Sequence, residues 1–82
     1  MVTKATELEL NAIGEGTLGR TRPDEPIFIL CGRDRCAPKT IRQWVENARN
    51  MGCQNEEKLA DAMQLAVTME RWQAENFGKV PD

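Results

Sequence analysis

The chain predicts a mainly α fold with a short β element, in the order β-β-α-α: an N-terminal strand pair packed on an antiparallel αα-hairpin. Three observations predict it. Two stretches, residues 38–51 and 55–77, carry apolar side chains at helical spacing with only a few residues between them. Residues 26–31, PIFILC, form an unbroken apolar run rich in Ile and Phe and bounded by turn residues, which is how a buried strand reads. Residues 6–12, TELELNA, alternate Glu and Leu with period two, as a half-buried partner strand would. The 82 residues are enough for one small domain, and a chain this short buries a smaller fraction of its surface than a domain of ordinary size.

Residues 1–4 read as a loose end. For residues 6–12 a second reading stands beside the strand, because Thr6 and Glu9 also spell a capping box and Gly14 could close a short helix. If the segment is a strand, its partner is 26–31, and the pair needs a helix or another subunit to lie on. Residues 14–25, GEGTLGRTRPDE, hold three glycines, one proline and five charges with no hydrophobic period, so they read as a loop. Gly32 ends the strand, and Pro38 suits the first position of a helix, which puts Ala37 at the N-cap. Ile41, Trp44, Val45, Ala48 and Met51 then form one stripe, and Gly52 is a natural stop. Asn55 can cap the second helix, with Glu56 and Glu57 complementing its dipole. That helix is expected to end near Phe77, with Gly78, Lys79 and Pro81 as its stop signals.

The second helix has an apolar arc too wide for one partner. Leu59, Ala62, Met63, Leu65, Ala66, Val67, Met69, Trp72 and Phe77 cover more than half of its circumference, leaving Asp61, Gln64, Thr68, Arg71 and Glu75 as the polar strip. Leu65, Met69 and Trp72 are therefore expected at an oligomer or partner interface, and a homo-oligomer built through this helix is expected. A monomer whose N-terminal hairpin covers the excess is the alternative.

Composition narrows the chemistry. Three cysteines, no histidine and no signal peptide point to reduced thiols, a cytoplasmic location and no structural metal. No run is long enough to cross a bilayer. The formal net charge of −2 argues against general binding to duplex nucleic acid. With no His, Tyr or Ser and no carboxylate pair in an apolar surround, a non-enzymatic protein without a cofactor is expected. A Cys36 nucleophile would lack an imidazole base, and a small buried hydrophobe is the plainer reading of it.

The charges are nevertheless polarised. Arg20, Arg22, Arg33, Arg35, Lys39 and Arg42 face only Asp24, Glu25 and Asp34 between residues 20 and 42. Alanine at an N-cap cannot accept the free N–H groups of Lys39 and Thr40. Either Asp34 folds back to take them, or they serve with Arg33, Arg35, Lys39 and Arg42 as a receptor for phosphate or another anion. Arg20 and Arg22 would be added by the loop or a neighbouring subunit. Trp44 could stack a base beside them, although core packing explains both Trp44 and Trp72 more simply.

Residues 24–44, DEPIFILCGRDRCAPKTIRQW, together with the terminal Val80-Pro81-Asp82, resemble small uncharacterised proteins of tailed bacteriophages and prophages. The positions that carry the resemblance are Asp24, Glu25, Pro26, Asp34, Ala37, Pro38 and Trp44. It brings no established activity. What it implies is a setting in which a small accessory protein acts by binding, either sequestering a nucleotide immune signal or blocking a host protein. Two functions are thus expected from different classes: capture of an anionic small molecule such as a nucleotide, and inhibition or adaptation of a host protein through the second helix. A small structural or regulatory phage protein is the third.

Overall fold

The computed structural model describes residues 3–76, and the expected end of the last helix at Phe77 to Pro81 lies outside them. Four helical elements follow one another: α1 (Lys4–Ala12), α2 (Thr17–Arg20), α3 (Ala37–Asn50) and α4 (Glu56–Asn76). Among the described residues there is no strand, so the expected β-β-α-α order and its N-terminal strand pair are corrected to two helical pairs. α1 packs with α2 and α3 packs with α4, while α1 and α2 make no close backbone contact with the hairpin.

Residues 6–12 take the helical alternative, with a different cap. Thr3, not Thr6, is the N-cap, and its hydroxyl accepts the Thr6 N–H at 3.2 Å. Glutamate and leucine are good helix formers, and the period-two pattern meant nothing once the partner strand was lost. The helix is held by a different pair of side chains. Glu7 and Asn11 are one turn apart on one face: Glu7 Oε1 accepts the Thr17 N–H at 2.6 Å, and Asn11 Oδ1 accepts the Gly19 N–H at 2.8 Å. The stretch read as an unstructured loop, 14–25, therefore contains the single turn α2, pinned beneath α1. Backbone is so close there that a Cβ on Gly19 would lie 2.9 Å from Gly14 Cα.

The expected buried strand at 26–31 is instead irregular and largely exposed. Leu30 alone of its apolar residues packs on the core cluster, which consists of Ala37 and Ile41 from α3 and Ala66 and Met69 from α4. A strand needs a partner for its backbone groups, and with residues 4–12 helical none exists nearby in the chain.

α3 and α4 run antiparallel. Gly52 turns the chain with φ 95°, a left-handed conformation that costs glycine nothing, and Asn55 Oδ1 accepts the Lys58 N–H at 3.0 Å to open α4. Val45 and Leu59 are buried toward the connecting turn, and the core cluster closes the far end. Among the described residues two ion pairs cross the hairpin, Arg42 with Glu70 and Arg49 with Glu56, the second at 3.5 Å. The hydrogen bond from Arg42, assisted by its charge, holds the Glu70 carboxyl below its ordinary pKa of 4.5, and Arg42 is raised in turn. A carboxylate with a depressed folded-state pKa stabilises the fold above its ordinary value, and that contribution is lost as pH falls through the folded value. Glu70→Gln should therefore flatten the acid limb of the melting-temperature profile below about pH 5. The effect should be small and should shrink with added salt, because the pair is exposed.

Candidate functional site

The turn before α3 is built by Asp34 and by a residue from the far end of the hairpin. Asp34 Oδ1 accepts the Cys36 N–H at 2.8 Å, and its carbonyl accepts the Ala37 N–H at 3.0 Å. The helix consequently begins one residue earlier than Pro38 suggested, with Cys36 at the N-cap and Pro38 second. Asp34 does fold back, but onto Cys36 rather than onto Lys39 and Thr40, and the Thr40 N–H is taken by Cys36 O at 3.0 Å. Gln73 of α4 then locks the turn: Nε2 donates to Gly32 O and to Asp34 O, each at 2.8 Å.

This arrangement distributes the expected anion receptor over different faces. Arg33 borders a cleft of about 760 Å³ between α1–α2, residues 29–33 and the outer half of α4. Lys39 and Arg42 border a separate, smaller concavity of about 450 Å³ together with Glu46 and Met63. Arg42 is already engaged by Glu70. Arg20 ends α2, and the Arg22 backbone N–H donates to Glu25 Oε1 at 3.3 Å; neither borders either concavity. Arg35 makes an interaction of its own and borders neither. Trp44 borders neither, with the Lys58 ammonium 5.8 Å from its ring centroid, a cation–π contact within α3–α4.

The residues expected at an interface fare differently. Leu65, Met69 and Trp72 converge on the large cleft, where Leu8 and Leu18 face them from the N-terminal pair. Met69 is buried and belongs to the core, whereas Trp72 is 46% exposed and presents its indole to the cleft. Two cations border this apolar space, Lys4 and Arg33, against one carboxylate, Glu7, which accepts from Thr17 and from Asn11 Nδ2. Cys31 lies on the same wall as an unpaired thiol. Chemically the cleft offers an apolar floor, an indole face and a positive edge. Among the described residues no cluster of His, Cys, Asp or Glu is placed to hold a metal, and no helix is long and apolar enough to cross a membrane.

Lys4 and Leu18 were not marked in the sequence, because residues 1–4 read as a loose end and 14–25 as a featureless loop, and Leu8 was expected on the inward face of a strand and not on a cleft wall. Gln73 was missed as well, though a signal exists for it. Leu59, Ala62, Ala66 and Met69 form the buried stripe of α4, and Gln73 falls on its next step, a polar residue on an apolar line.

No protein-family model, no curated protein and no solved structure matches this chain.

Proposed function

We propose that this protein is a non-enzymatic binding module and that its ligand lies in the cleft between α1–α2 and α4. The ligand class is an anionic small molecule with a flat apolar body, of which a nucleotide is the leading example. The observation that supports this is the combination found there. The cleft volume of about 760 Å³ falls in the range of about 300–1,000 Å³ usual for small-molecule sites. Trp72 supplies a stacking face, and Arg33 and Lys4 supply positive charge at the edge. The receptor proposed here differs from the one read in the sequence, since of its arginines only Arg33 takes part. The phage resemblance of residues 24–44 suggests a setting in which the protein removes a nucleotide signal from solution in the host cytoplasm.

Native mass spectrometry of freshly purified protein, followed by calorimetry with the released compound or a nucleotide panel, tests the reading. Trp72→Ala should weaken binding about 10- to 100-fold, the worth of one stacked base. Arg33→Ala should weaken it about tenfold or more, by loss of a charge-assisted contact. Both side chains are exposed, so the melting temperature should hardly move.

A second reading is favoured by the exposure of Leu8 and Leu18 beside Trp72, an apolar rim larger than a small ligand needs. In it the cleft receives apolar side chains of a partner protein, as an inhibitor or adaptor would. The two separate cleanly: Arg33→Ala is then silent, while Leu8→Lys and Trp72→Ala abolish capture of the partner.

A further inference from the structure

We propose that residues 26–30 are a dimer edge, and that two copies of this chain pair these segments antiparallel about a twofold axis. The inference goes beyond the cleft reading: Ile29 and Leu30 of the segment and Arg33 beside it also border the cleft, whereas Phe28, the central residue, does not.

The segment has the composition of a strand and none of a strand's bonds. Ile27, Phe28, Ile29 and Leu30 are β-branched, aromatic or bulky aliphatic, yet among the described residues no hydrogen bond of any kind reaches the backbone of residues 26–30. Its side chains are equally uncovered, with Ile27, Phe28 and Ile29 exposed by 51%, 85% and 65%. An apolar strand-former with open N–H and C=O groups is a template for pairing with another chain. Pro26, which lacks the N–H, stands at the first position, where an edge tolerates it.

Charge decides what kind of chain. Asp24 and Glu25 precede the segment and Arg33 follows it. When a second copy pairs antiparallel and centred on Phe28, the acidic flank of each copy approaches the basic flank of the other, with Glu25 diagonal to Arg33. Parallel pairing would set like charges against like. The segment is thus complementary to itself, as an isologous twofold contact requires. Leu30 of each copy stays anchored on its own hairpin core, so the two-stranded ribbon lies against helices and is not left standing alone in water.

Sedimentation velocity over a concentration series reaching the millimolar range tests the proposal. The wild-type chain should sediment as a dimer, and Phe28→Lys should halve the mass with unchanged helical circular dichroism, because Phe28 contributes nothing to the monomer's core. A wild-type chain that stays monomeric throughout overturns it. So does a dimer that survives Phe28→Lys, which would place the contact elsewhere, for example along α4. The direction is read from crosslinking with Cys31, Cys36 and Cys53 replaced by Ala: Phe28→Cys should join two copies on oxidation and Glu25→Cys should not. Efficient joining through Glu25→Cys would mean parallel pairing and would reject the charge argument.

Discussion

Leu59→Ala is expected to cost about 2–5 kcal/mol and to leave the chain partly or wholly unfolded at room temperature. Leu59 is completely buried at the start of α4 and is, with Val45, the largest fully buried side chain among the described residues. Truncation removes apolar contact and leaves a cavity that α3 and α4 cannot close without moving as whole helices. The loss is large relative to what supports it. Domain stabilities run about 5–15 kcal/mol, and among the described residues the buried apolar side chains are Ala37, Pro38, Ile41, Val45, Leu59, Ala66 and Met69. Thermal melting by circular dichroism is the measurement, with a fall of more than about 10 °C expected if the variant folds at all. Met51→Ala is the control. Met51 is of similar size and caps the C-terminal end of α3, but at 89% exposure its loss should stay within about 0.5 kcal/mol. Equal losses at the two positions would mean that Leu59 is not the buried anchor of the hairpin.

The second large effect is expected at Gln73. Gln73→Leu keeps the size of the side chain and removes both bonds to the Gly32 and Asp34 carbonyls. The cost should be about 1–3 kcal/mol, because water can reach this half-buried turn only in part and Gly32 O is left without its donor, while Asp34 O keeps only the Ala37 N–H. The change should also be local. The turn that Gln73 holds carries Arg33 and adjoins Cys31 on the cleft wall, so loosening it displaces the proposed anion contact. Amide exchange at Cys36 and Ala37, whose N–H groups are bonded to Asp34, should speed up before exchange elsewhere in α3. Ligand affinity should fall with it. Gln73→Glu should be worse, since a carboxylate placed against two carbonyl oxygens has no proton to give above its pKa. Unchanged exchange at these two amides in Gln73→Leu would show that Asp34 holds the turn unaided.

Much of the hairpin is legible in the residues, and the reasons are local. The Ile41 and Val45 pair on α3, the Gly52 turn and the Asn55 cap each depend on groups within a few residues of one another, so spacing and residue type suffice to find them. The same stripe also included Trp44 and Met51, and these are not buried. Spacing identifies a face but not how far a neighbouring helix covers it, and α4 leaves both largely exposed. The wide arc on α4 is likewise uncovered at Met63, Val67 and Trp72; of the residues expected at an interface, Trp72 is exposed and Met69 is buried.

The N-terminal third was misread for a different reason. Glu7 and Asn11 stabilise α1 by accepting from Thr17 and Gly19, contacts about ten residues away along the chain, and nothing in the local alternation of Glu and Leu announces them. Once residues 4–12 are helical, residues 26–31 have no partner among the described residues of their own chain and form no strand within it, however strongly their composition favours one. The residues of the expected anion receptor are separated on the same ground. Closeness in sequence suggested that Arg33, Lys39 and Arg42 act together, but a helix start turns successive side chains to different faces, and Glu70 of α4 claims Arg42.

Residue order alone specified the two long helices, their connecting turn and an apolar surplus on α4, because helical bonds and caps close within one turn of chain. Which strand-former goes unpaired, which arginine reaches the cleft, and that Lys4, Leu8 and Leu18 form its other wall were decided by the tertiary structure. Those outcomes rest on groups far apart in the chain meeting in space, and pairing of that kind leaves no period in the sequence.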